Sequence, residues 1–129
     1  MWQDFAEYIL SQAEDGNVRI AEIGVGKFSM IADMLSERDN ITIIKTDIIP
    51  ADESVIKDDI TRPDLNLYRD IDIIYSIRPP SELQPYLVDL ALEVDSQLII
   101  KPLTNEDLNT GRVKMRLKNF KKASFYTLR

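Results

Sequence analysis

The feature that most restricts this chain is a short apolar strand running straight into two glycines and then into a helix. Val18 to Ile23 is apolar except at Arg19 and Glu22, and Gly24-Val25-Gly26 follows without a break. Phe28, Ile31, Ala32 and Leu35 then fall on one helical face. Glycine accepts the backbone angles of a sharp turn and lets main-chain N–H groups approach a ligand closely. A chain that turns this way builds a strand-turn-helix unit, and the rest of the sequence must supply neighbours for that strand.

The remaining pattern does so. Trp2, Phe5, Ala6, Ile9, Leu10 and Ala13 form the apolar stripe of a first helix, ended at Asp15-Gly16. Ile41 to Thr46 is a β-branched strand closed by Asp47, and Val55-Ile56-Lys57 is a brief strand before Asp58-Asp59. Ile71 to Ile77 predicts a central strand bounded by Pro79-Pro80. Ser81-Glu82-Leu83-Gln84 reads as a capping box, opening a helix that turns Leu83, Leu87, Leu90 and Ala91 inward. Gln97 to Ile100 is a further strand, closed by Pro102. In the tail, Val113, Met115 and Leu117 alternate as in a strand, while Val113, Leu117 and Phe120 also fit a helix. With Ser124 to Leu128 as a last strand, the expectation is a C-terminal β-hairpin. Alternating strands and helices imply an α/β fold, a doubly wound and mostly parallel sheet with helices on both faces. Ligands of such sheets bind at the carboxyl ends of the strands.

The length, 129 residues, suits one domain spanning 1–129. Hydrophobic residues at 44% and charged residues at 29% fit an ordinary globular chain, and no apolar run approaches the ~20 residues of a membrane span. The N-terminus lacks the basic and apolar regions of a secretory signal, so a cytoplasmic location is expected. Cysteine and histidine are absent, which excludes disulfides, thiolate or imidazole zinc sites and every histidine-based triad. No metal is expected, since Asp70 and Asp72 have no companions at ligand spacing. A net charge of −6 argues against nonspecific binding to nucleic acid. Residues 112–129 nevertheless hold seven basic residues and no acid, read either as solvated charges of an outer hairpin or as a contact for RNA or another anionic partner.

The glycine loop has an acid on each side. Glu22 precedes it, and Asp47 ends the second strand about twenty residues on, where a carboxylate can accept hydrogen bonds from both ribose hydroxyls. A dinucleotide fingerprint requires a third glycine where Ser29 stands, and Glu22 would repel a pyrophosphate. A cationic sulfonium and ammonium suit these acids better. Glu22-x-Gly24-x-Gly26, then Asp47, then Asp58-Asp59 resembles the ordered motifs of Rossmann-like (class I) S-adenosylmethionine (SAM)-dependent methyltransferases. The resemblance implies that Glu22 lies by the methionine amino group, that Asp47 holds the ribose, and that Asp58 or Asp59 meets the adenine amine. Asp58 and Asp59 also read equally well as a polar turn. Phe28 stands where that family usually has its third glycine. Over almost the whole chain, Tyr75-Ser76-Ile77-Arg78-Pro79-Pro80 and Ile99-Ile100-Lys101-Pro102-Leu103-Thr104 are similar to motifs of a small uncharacterised family of archaeal proteins with a methyltransferase-like fold.

Ser76, Arg78 and Lys101 are the candidates for contact with a substrate. The segment from Ser76 to Pro80 keeps the two prolines of the amino-methylating motif but lacks its acid or amide. Arg78 and Lys101 follow apolar strands that should be neighbours, so together they could hold a phosphate or carboxylate. The alternative pairs Arg78 with Asp70 or Asp72 and leaves Lys101 in solvent. Three functions stay open: a small SAM-dependent methyltransferase, a non-catalytic Rossmann-like binding or interaction module, and an NAD-dependent oxidoreductase, which Glu22 and Ser29 fit poorly. As an enzyme so short a chain would be completed by a protein partner or a homodimer.

Overall fold

The computed structural model describes residues 2–102 and 108–129; Leu103 and Thr104 of the second motif lie outside the described residues. Helix α1 spans Trp2–Ser11, β1 Val18–Ile23, α2 Met30–Ser36, β2 Ile41–Asp47 and β3 Val55–Lys57. They are followed by β4 Ile73–Ile77, α3 Gln84–Val94, β5 Gln97–Lys101, β6 Arg116–Phe120 and β7 Ala123–Leu128. The seven strands form one sheet in the order β3-β2-β1-β4-β5-β7-β6. β1 to β5 run parallel, whereas β7 is antiparallel to both β5 and β6. The expected doubly wound α/β sheet and terminal hairpin are therefore present, and the chain reverses its winding direction between β1 and β4.

Two cores flank the sheet because strand side chains alternate between its faces. Phe5 and Ile9 of α1 and Ile31 and Leu35 of α2 cover Ile20, Ile73, Tyr75 and Ile99 on one face. Leu87, Leu90 and Ala91 of α3 cover Ala21, Ile23, Ile74 and Ile100 on the other. Among the described residues no helix is long and apolar enough to cross a membrane.

Three local expectations change. The capping box does not form: Ser81–Leu83 is a 3-10 turn without a side-chain cap, and the Gln84 amide donates to the Pro79 carbonyl at 3.2 Å. Pro85 in the first helical turn explains the delay, since regular helix begins only where its missing N–H is harmless. β4 starts at Ile73 rather than Ile71, because the Ile71 N–H closes a turn onto the Tyr68 carbonyl at 3.0 Å. β6 starts at Arg116 rather than near Val113, since Thr110 and Val113 bond across a turn containing Gly111 at φ 65°.

Candidate functional site

At the carboxyl edge of the sheet, on the α3 side, a cleft of about 320 Å³ opens between the ends of β1, β2 and β4. Its floor is Ile23 and Gly24, with Asp47 and Ile48 on one wall. Asp58, Asp59, Ile60 and Thr61 close one end, and Ser76 to Pro80 with Leu83 and Leu87 complete the other side. Gly24, at φ 72°, makes the turn out of β1, and its N–H donates to the Thr46 carbonyl at 2.9 Å. The turn thereby ties the end of β1 to that of β2. Gly26, at φ 56°, lies beyond the cleft, against a second hollow of about 240 Å³ beside Lys45 and Asp52.

The acids of the cleft are held in distinct ways. Asp47 accepts the Gly26 N–H at 2.8 Å on one oxygen and the Ile49 N–H at 3.0 Å on the other. Both bonds are charge-assisted, so the carboxylate is fixed in orientation while each oxygen keeps a second lone pair. Asp58 accepts the Asp64 N–H at 3.0 Å and the Tyr68 hydroxyl at 2.9 Å. Tyr68 is fully buried, its oxygen also 3.1 Å from the Thr46 hydroxyl, and burial raises its pKa well above the usual phenol value. Asp59 takes the N–H and hydroxyl of Thr61 on a single oxygen, at 2.9 and 2.8 Å, and these bonds hold its pKa low. No bond from a described residue reaches the other Asp59 oxygen. Ser76 donates its hydroxyl to the Ile23 carbonyl at 2.8 Å.

Glu22 and Lys101 do not join this group. The pleat of β1 sends Glu22 to the α1 face, where it is 1% exposed and accepts the hydroxyl of fully buried Tyr75 at 2.7 Å. Burial pushes its pKa up to about 7, and the Tyr75 bond and the Lys45 charge only partly offset that. Lys101 occupies the same face at the end of β5, 8% exposed rather than extended into solvent. Burial and the nearby Arg78 charge lower its pKa. Arg78 lines the cleft but forms no ion pair with Asp70 or Asp72. Asp72 instead accepts the Arg19 N–H at 2.9 Å, and the Arg78 guanidinium lies 5.3 Å from the Trp2 ring centroid. Arg78 has φ 54°, a left-handed conformation costing about 1–2 kcal/mol outside glycine, held by its N–H bond to the Lys101 carbonyl at 2.6 Å. Phe28 packs against Trp2 with ring centroids 4.8 Å apart and planes tilted by 52°, away from the cleft.

The profile of an uncharacterised protein family, UPF0146, matches residues 2–129. The chain belongs to that family. A UPF0146 protein of Methanothermobacter thermautotrophicus is 41% identical over 126 residues, covering 98% of this chain and 93% of its own. Another, from Methanocaldococcus jannaschii, is 42% identical and covers 93% and 90%. Among solved structures, a SAM-dependent methyltransferase from Aquifex aeolicus has a TM-score of 0.57 at 14% identity, covering 95% of this chain and 87% of its own. A mutant of MtNAS in complex with SAM has a TM-score of 0.67 at 12% identity, covering 98% of this chain and 60% of its own. At such identities the UPF0146 chain shares their fold, a methyltransferase-like Rossmann arrangement.

The sequence reading missed part of the UPF0146 cleft wall. Ile48, Ile60, Leu83 and Leu87 supply its apolar surface. A signal for Ile48 was available: Ile48-Ile49 follows a strand-ending acid inside a loop, where apolar side chains have no core to enter, and they stay 54% and 78% exposed. Ile60 carries no such mark, because only the folded loop turns it inward.

Proposed function

We propose that this chain is a cytoplasmic SAM-binding, methyltransferase-like protein whose cleft takes the adenosine part of the cofactor. The observation carrying this reading is Asp47, a carboxylate at the end of β2 whose two oxygens are fixed by the Gly26 and Ile49 N–H groups inside the cleft. It would accept the ribose hydroxyls on its remaining lone pairs. Asp59, with one oxygen unengaged by described residues, would accept the adenine amine, and Asp58 positions the loop through Asp64 and Tyr68. Ile48 and Ile60 would flank the base, and Gly24 leaves room for the sugar. The volume lies at the lower end of the about 300–1,000 Å³ usual for small-molecule sites, which suits a nucleoside. Support also comes from the SAM-bound structure that shares the fold.

The test is a calorimetric and thermal-shift panel with SAM, its demethylated product, NAD and ATP. A ligand at 100 times its dissociation constant adds about 2.7 kcal/mol, roughly 8–15 °C for a chain of this size. A response to SAM and its product, with none to NAD, is the expected result. No response to either SAM species would end the proposal.

One observation favours a second reading, a binding module without catalysis. Ser76 gives its proton to the Ile23 carbonyl, and Tyr75 gives its own to Glu22 while buried outside the cleft, so neither hydroxyl of the β4 segment meets a base within the cleft. SAM binding without turnover across a panel of amines, phenols and carboxylates would select that reading.

A further inference from the structure

The corner where β4 and β5 end under α1 holds two cations that no described residue neutralises. Ile77 and Lys101 are register partners, so Arg78 and Lys101 emerge from adjacent strands at one level. Lys101 follows Ile99 on the α1 face; the residue as a whole is 8% exposed, and its amine has no hydrogen bond or ion pair to a described residue. Among the described residues the ion pairs are Lys121 with Glu7 and Arg129 with Asp95, so neither cation of this corner is paired. The Arg78 guanidinium lies over Trp2, and no described residue accepts from its N–H fork. Bringing two like charges together, one of them partly desolvated, is unfavourable unless a third group of opposite charge completes them. The rest of the chain does not lack carboxylates, with 22 acidic residues and a net charge of −6. Among the described residues none of them approaches this point closely enough to raise the pKa of Lys101.

We infer that Arg78 and Lys101 form an oxyanion site, which binds a phosphate or carboxylate carried by the molecule that this protein acts on or senses. Arg78 lines the cleft proposed for the cofactor, and its guanidinium reaches the α1 side of the same sheet edge. The anion therefore sits next to the place where a group leaving the cofactor would be delivered, and the substrate class is an anionic small molecule. The naming of that class rests on the proposed SAM reading, whereas the anion site itself does not. Lys101 supplies a point charge and Arg78 a planar fork, a combination suited to a multi-oxygen anion.

The chain has one tryptophan, and it is Trp2, under the Arg78 guanidinium. Its fluorescence therefore reports directly on the site. The full chain is titrated with inorganic phosphate and, separately, with acetate, against sodium chloride at matched ionic strength. A saturable change in Trp2 emission is expected with at least one oxyanion and not with chloride, and the anion giving the tighter response identifies phosphate or carboxylate as the group recognised. Lys101→Met keeps the buried stem without the charge, and Arg78→Asn tolerates the left-handed backbone. Each removes a charge-assisted contact and should weaken binding about 10- to 100-fold. A phosphate and acetate response no larger than that of chloride overturns the site, as does wild-type titration by both variants. SAM is titrated by calorimetry into wild type and Lys101→Met. If SAM binds both and no oxyanion binds, the anion site alone falls. If an oxyanion binds and SAM does not, the cofactor reading falls and the anion site stands.

Discussion

Replacing Glu22 by glutamine tests how the carboxylate beneath the glycine loop is held. In the folded protein burial raises its pKa from an ordinary 4.5 to about 7. Folding therefore binds a proton between those two values, and the wild type is favoured most where both states are protonated. That contribution is complete below pH ~4.5, is lost as pH rises toward and through 7, and does not change further above it. The difference of about 2.5 pKa units corresponds to about 3 kcal/mol. Glu22→Gln stays neutral at every pH and still offers an oxygen to the Tyr75 hydroxyl, which lies 2.7 Å from the native carboxylate. Its amide N–H groups, left unpaired, would cost about 1–3 kcal/mol, but equally at every pH. The pH-dependent part is thus free of that offset. Urea unfolding at intervals from pH 4 to pH 8 should show the variant gaining about 3 kcal/mol relative to wild type across the range, most of it between pH 5 and 7. Parallel stability curves, within about 0.5 kcal/mol throughout, would mean that Glu22 is solvated or ionised in the fold, and the reasoning would be wrong.

Asp47→Ala leaves the Gly26 and Ile49 N–H groups without their acceptor. A stability loss of about 1–3 kcal/mol is expected together with a fall in SAM affinity of at least about tenfold, and undiminished affinity by calorimetry would remove Asp47 from the ribose role. Tyr68→Phe deletes the part-buried bond to Asp58 and the buried contact with Thr46 and should cost about 1–2 kcal/mol in urea unfolding; a neutral result would show that the Asp58 loop does not depend on this hydroxyl. Gly24→Ala places a methyl 3.9 Å from the Ser76 hydroxyl, so space is adequate and the cost, about 1–2 kcal/mol, comes from φ 72°. Gly24→Asn should be milder, because asparagine tolerates that conformation, and equal losses for the two would point to crowding instead.

Much of the architecture was legible in the sequence, since local periodicity is set by neighbours along the chain. The stripe from Trp2 to Ala13, the strand from Val18 to Ile23 and the apolar run at Ile73–Ile77 each declare their element without knowledge of the rest. Gly24, Asp47, Asp58, Asp59, Ser76 and Arg78 could be gathered for the same reason, as each sits at or just past the end of a strand and such ends converge in a parallel sheet. Placing Glu22 and Lys101 required coordinates. Alternation along a strand says that Glu22 and Ile23 face opposite ways, but not which way the cleft lies. That depends on α1 covering one face and α3 the other, with the opening left on the α3 side. The inward Ile60 and the meeting of Arg78 with Trp2 arise likewise from loop geometry and from contacts between residues distant in the chain. Sequence alone determined which elements form and which of their ends carry polar groups. Only tertiary packing decided which side of the sheet each group would face, because a strand presents both sides equally until helices choose between them.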